Sequence, residues 1–152
     1  ELVDHLQRHP MPRAMRIDKL SLAALTATLL HYIRGEATEH IPCWRMLCLS
    51  LDELEARAQA WRSQVGTRSK VVSGLSTVGG GSLPGETLRT WLLSIRADNL
   101  PGGILGLAQR LRECDPPVIS RIEADRVMLD PRTVMPDEEP ALLRVVQEAL
   151  QP

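Results

Sequence analysis

Apolar residues recur at helical spacing over residues 17–33, IDKLSLAALTATLLHYI. Leu20, Ala24, Ala27 and Leu30 or His31 follow at three- to four-residue steps, with Leu22, Leu25 and Leu29 alongside. The apolar arc is wide, which predicts a helix buried on more than one side. Asp18 suits the positive end of its dipole, and Gly35 marks its stop. Next, Pro42 in IPCWRMLCL interrupts the helical pattern and predicts a short irregular or one-turn segment. Residues 50–64 form a second helix: Ser50 and Glu53 make the S-x-x-E capping box, and Leu51, Leu54, Ala58 and Trp61 share one face. Glu, Arg and Gln fill the other positions, so this helix lies at a surface.

From Lys70 the period changes. KVVSGLSTV has the β-branched content of a strand, GGGSLPGE is a loop, and TWLLSIRA is a second strand. Pro101 and two glycines lead into a short helix, ILGLAQRLRE. Strands over 118–123 and 126–130 flank Ala124-Asp125 as a hairpin, a weaker turn signal than Asn-Gly. The acidic run Asp137–Glu139 precedes a last helix, ALLRVVQEAL. This order implies an α+β fold with an antiparallel or mixed sheet and helices, entered through the long helix, and not a repeating βαβ barrel.

The chain has 152 residues, enough for one domain or a domain plus a fragment. Apolar residues at 43% and charged residues at 24% exclude a disordered or collagen-like chain. Aromatics are 3%, with no Phe, too few for a base-stacking platform. The net charge of −1 is uneven: residues 1–112 carry about +4 and residues 113–152 about −5, so any anion site should lie before residue 113. Three cysteines, Cys43, Cys48 and Cys114, lack metal-like spacing and are expected to be buried or half-buried thiols in a reducing cytoplasm. No apolar run has the length of a membrane span, and no signal peptide is evident. The chain opens without methionine in helical sequence, as a piece of something longer would.

The four histidines, His5, His9, His31 and His40, show no HExxH or paired-ligand spacing, so no metal site is expected. Neither a G-x-S-x-G elbow nor a Cys–His pair can be assigned. Lys19 and Lys70 are the chain's two lysines, and Lys19, beside Asp18, is expected to be solvated or ion-paired. Two features stand out. Arg13 and Arg16 in RHPMPRAMRIDK are three apart, and on a helical turn both guanidinium groups would face one side and could hold a tetrahedral oxyanion. Spacing alone favours a solvated helix face for them. Gly79-Gly80-Gly81 in STVGGGSLPGE can form an amide nest or simply a flexible connection between strands.

The strings RHPMPRAMRIDKLSLAALTATLLHY, IPCWRML, STVGGGSLPGE, PPVISRIE and LDPRTV stand in this order. Together they resemble the C-terminal third of the bacterial selenocysteine synthases, the L-seryl-tRNA(Sec) selenium transferases. The resemblance runs from His9 to about Asp137. It implies a pyridoxal-phosphate enzyme of the aspartate aminotransferase fold type. Residues 1–46 would then end the large cofactor domain, including the long helix, and residues 47–152 would be the small C-terminal α+β domain. It also implies conversion of seryl-tRNA(Sec) to selenocysteinyl-tRNA(Sec) with selenophosphate, through a cofactor-bound dehydroalanyl intermediate, in a cytoplasmic homo-oligomer built from dimers.

The matching R-A-x-R motif implies selenophosphate binding by Arg13 and Arg16. The family's cofactor lysine follows Gly-Asp in an upstream segment, and neither Lys19 nor Lys70 matches it, so no catalytic residue is expected in this chain and the piece alone should be inactive. Pro12 and the Cys43-Trp44 pair depart from the family strings. The glycine run is expected near an active-site mouth or a subunit contact. Two alternatives stay open: a non-catalytic interaction or oligomerisation module, and a related pyridoxal-phosphate enzyme acting on a small amino acid.

Overall fold

The computed structural model describes residues 2–78 and 85–151, with the backbone alone at residues 2, 7, 8, 13 and 14. The chain divides into two compact units, Glu1–Arg45 and Met46–Pro152.

Unit 1 is helical. It contains α1 (Leu2–Arg8), α2 (Met11–Ala14), α3 (Lys19–Ile33), α4 (Ala37–His40) and the start of α5 (Pro42–Cys48). Asp18 starts α3 by accepting from the backbone N–H groups of Leu20 and Ser21, both at 2.9 Å, and from the Ser21 hydroxyl. These bonds, the Ser21 hydroxyl's above all, hold the Asp18 carboxyl below the usual carboxylate range. A lowered folded-state value means that the cap's contribution is complete above the unfolded value and is lost as pH falls through the folded one. Carboxyl NMR titration is therefore expected to put the Asp18 midpoint below about 3.9, the ordinary value. A midpoint at or above it would show that the cap does not favour the charged form.

The helix closes at Arg34, with Gly35 at φ +72°. None of α3 is buried, and Leu20 and Ile33 are 83% and 80% exposed. This corrects the expectation of burial on more than one side: the other helices of unit 1 have only four to seven residues each and cannot cover a fifteen-residue helix that is apolar nearly all round. Pro42 is also more than a breaker. It is the first residue of the seven-residue α5, where its missing N–H costs nothing. Cys43 and Cys48 on α5 are exposed and only Cys114 is half-buried, so the expectation of sheltered thiols holds for one of the three.

Unit 2 carries α6 (Leu51–Val65), β1 (Ser69–Thr77), β2 (Thr87–Ile95), α7 (Gly103–Glu113), β3 (Arg121–Glu123), β4 (Arg126–Leu129), a 3-10 turn at Pro131–Thr133 and α8 (Glu139–Ala149). The Ser50–Glu53 capping box forms as the sequence predicts. Leu54, Ala58 and Trp61 of α6 are buried, while Leu51 is 40% exposed and stands off the predicted face. The sheet is antiparallel, in the order β1-β2-β4-β3. Between β3 and β4, Ala124 and Asp125 both take positive φ, +48° and +58°. That is the signature of a primed two-residue turn, whose twist matches the strands even without Asn-Gly.

The core joins Trp61 of α6, Leu93 and Ile95 of β2, Val127 and Leu129 of β4, Leu107 and Leu111 of α7, and Val145 and Val146 of α8. An ion pair also fastens α6 to α8: Arg57 Nε donates to Glu139 Oε1 at 2.6 Å, and Arg57 Nη2 to the Val134 carbonyl. Gly106 in α7 lies so close to the preceding loop that a Cβ would sit 2.4 Å from the Pro101 carbonyl oxygen. Overpacking of about 2 kcal/mol should outweigh the gain of about 1 kcal/mol in helix propensity, so Gly106→Ala is expected to destabilise unit 2 by about 1 kcal/mol in urea unfolding. A more stable variant would show that the loop yields freely.

Candidate functional site

The arginine pair begins in α2, whose N-cap is Pro10 and whose second residue is Pro12. The helix stops at Ala14, and its C-cap Met15 donates to the Met11 carbonyl at 3.0 Å. Arg13 is therefore helical in backbone, and its side chain lies outside the described residues. Arg16 lies beyond the cap, on the non-helical stretch that runs into Asp18. This corrects the picture of two guanidinium groups on one helical turn, because the i, i+3 relation needs helical backbone at both positions.

Arg16 is exposed and has no hydrogen-bond or ion-pair partner among the described residues. Both carboxylate oxygens of nearby Asp18 are taken up in starting α3. The five donors of the Arg16 guanidinium thus remain available to an incoming anion. Lys19 and Lys70 are both exposed. Neither stands in the desolvated surroundings that make a lysine a good imine former. The run Gly79-Gly80-Gly81 lies outside the described residues.

Two further groupings were not found by sequence reasoning. In unit 2 a cleft of about 580 Å³ opens between Pro116–Ile119, the β4 end and the start of α8. Asp130 stands in its wall, accepting from the Ser76 and Thr90 hydroxyls and from the Arg132 amide. Glu138 there accepts from the Met135 amide, and Arg121 donates to the Leu75 carbonyl. Asp130, Glu138 and Arg121 are thus each hydrogen-bonded within the fold.

In unit 1, Glu36 stands between His31 and His40. The residues are five and four apart and straddle a helix end, a turn and a second short helix, so no regular spacing marks them. The His31 hydrogen bond, and then the His40 and Arg34 charges, hold the Glu36 carboxyl below its usual range.

A family model, SelA: L-seryl-tRNA selenium transferase, matches residues 1–135. The chain belongs to the L-seryl-tRNA selenium transferase family. Proteins named L-seryl-tRNA(Sec) selenium transferase are similar to it over nearly its whole length. That of Moorella thermoacetica is 39% identical over 158 aligned residues, covering 99% of this chain and 33% of the relative. That of Desulfovibrio desulfuricans is 40% identical, again over 99% of this chain and 33% of the relative. That of Clostridium perfringens is 36% identical over 97% and 33%. The chain thus spans about a third of the length of these selenium transferases. Arg13 and Arg16 fall inside the matched residues, as do the whole sheet and the Asp130–Arg132 turn.

Proposed function

We propose that this chain is the C-terminal portion of an L-seryl-tRNA(Sec) selenium transferase, which converts seryl-tRNA(Sec) to selenocysteinyl-tRNA(Sec) with selenophosphate as the selenium donor. The observation that carries this reading is the 39–40% identity over 99% of the chain to proteins of that name. Arg13 and Arg16 are the selenophosphate-binding residues in this reading. The support for Arg16 is an exposed guanidinium without a competing partner among the described residues, on a short stretch anchored at both ends by α2 and α3. A planar fork of N–H donors suits a tetrahedral oxyanion, and two such forks supply both charge and orientation.

The enzyme's cofactor in this reading is pyridoxal phosphate, which supplies the electron sink when bound. The residues described here do not fit it, since both lysines of the chain are exposed. The cofactor lysine then belongs to the part of the relatives that this chain does not span, and the chain alone is inactive. Residues 1–46 belong with the large cofactor domain, and residues 47–152 form the small domain. The uncovered Leu20, Leu22, Leu25 and Leu29 of α3 support burial of that helix within a larger, dimer-based homo-oligomer. Among the described residues no helix is long and apolar enough to cross a membrane, and the reading places the enzyme in the cytoplasm.

The test is turnover by the full-length enzyme that contains this chain. Supplied with seryl-tRNA(Sec) and labelled selenophosphate, it is expected to yield selenocysteinyl-tRNA(Sec). Turnover of a free amino acid instead would favour a related pyridoxal-phosphate enzyme. A full-length protein that neither holds the cofactor nor transfers selenium would mark an interaction module.

A further inference from the structure

We propose that His31, Glu36 and His40 bind one divalent transition-metal ion of the zinc type. His31 sits in the last turn of α3, Gly35 at φ +72° reverses the chain, Glu36 follows at once, and His40 ends α4. His31 Nδ1 lies 2.9 Å from Glu36 Oε1, and His40 Nε2 lies 4.0 Å from Glu36 Oε2. One ligand atom from each of the three residues falls within 4.8 Å of the other two. The two imidazoles stack with centroids 4.8 Å apart and planes 15° apart, so both rings stand together beside one carboxylate.

Zinc holds imidazole nitrogen and carboxylate oxygen at about 2.0–2.2 Å, which sets donor atoms roughly 3.3 Å apart around a tetrahedral ion. The His31–Glu36 pair is already inside that separation, whereas His40 must come closer and the two stacked rings must turn until their in-plane nitrogen lone pairs converge on the ion. Two imidazoles and one carboxylate suit Zn²⁺, Co²⁺ or Ni²⁺ better than the all-oxygen shells of Mg²⁺ and Ca²⁺. Three protein donors leave a coordination position for water. The side chains of His31 and Glu36 are 31% exposed and that of His40 is 53% exposed, which leaves a path for the ion.

Arg34 is the local competitor. Its Nη1 is 3.6 Å from Glu36 Oε1, but at 62% exposure the side chain is free to swing into solvent when the ion arrives. The site is independent of the selenium-transfer reading and involves neither Arg13 nor Arg16.

Cobalt(II) titration of the chain, followed by its visible d–d absorption, tests the proposal. One equivalent is expected to bind without a thiolate charge-transfer band. His40→Ala and Glu36→Gln are each expected to weaken binding by at least about tenfold, as losing a direct ligand costs no less than losing its outer-shell support. His5→Ala/His9→Ala is expected to bind as the parent does. Circular dichroism of each variant separates a lost ligand from a lost helix, and His40, exposed at the end of α4, is the substitution least able to disturb folding. Three results would overturn the site: no saturable binding, affinity unchanged in folded His40→Ala, or a thiolate band that vanishes in Cys43→Ser/Cys48→Ser.

Discussion

Alanine at Arg13 or at Arg16 in the full-length enzyme is expected to lower selenophosphate-dependent turnover by about 100-fold while leaving pyridoxal phosphate bound. Removing one preorganised donor from a developing or transferring anion commonly costs about 10²–10³ in rate. Arg16 is exposed and outside helix, so its loss should remove an anion contact and leave the fold in place. Lysine at either position should recover only part of the rate, because an ammonium keeps the charge and loses the two-pronged geometry. Turnover across a range of selenophosphate concentrations, with cofactor absorbance on the same samples, separates the two effects. Parental turnover in both alanine variants would remove the pair from the site, and parallel loss of cofactor would assign them to folding or cofactor binding.

Arg132→Ala is expected to destabilise unit 2 by about 3 kcal/mol, the sum of two short hydrogen bonds from a charged donor at about 1.5 kcal/mol each. Arg132 is only 6% exposed. Its Nη1 donates to the Met46 carbonyl at 2.8 Å, with the Leu47 and Leu49 carbonyls at 3.4 Å, and its Nη2 donates to the Arg89 carbonyl at 2.7 Å. The first of these carbonyls come from the last turn of α5, where helix carbonyls have no partner within the helix and carry the negative end of its dipole. One side chain thus satisfies that helix end and joins it to β2.

Asp130 completes the arrangement. Its Oδ1 accepts from the Thr90 hydroxyl at 2.9 Å and from the Arg132 amide at 3.0 Å, and its Oδ2 accepts from the Ser76 hydroxyl of β1. Urea unfolding should show a lower midpoint with an unchanged slope. Arg132→Lys should recover part of the loss, since one ammonium cannot reach both sets of carbonyls. A cost under about 1 kcal/mol would mean that water replaces the guanidinium at those carbonyls.

Much of the local structure was legible in the residues. Asp18 and Ser50 start their helices through bonds to amides two or three residues on, Gly35 ends α3 in the left-handed region, and Ala124-Asp125 turns the β3–β4 hairpin. Such features depend on a few consecutive side chains and the backbone beside them, which is why spacing reveals them. The strings from Arg8 to Val134 likewise marked the family that the comparisons show.

What depended on distant partners was not legible. The apolar arc of α3 predicted a buried helix, but burial is a property of what lies against it, and this chain leaves it exposed. The i, i+3 spacing of Arg13 and Arg16 suggested one helical turn, but α2 ends between them. Arg132 acts on carbonyls more than forty residues away, and Glu36 meets two imidazoles across a helix end. By itself the sequence determined the starts of α3 and α6, the end of α3, the β3–β4 turn and the family, because those follow from short-range chemistry and ordered strings. The tertiary structure alone decided which groups are buried, which charges meet carbonyls, and which imidazoles share a carboxylate, because those distances exist only once separate segments have packed.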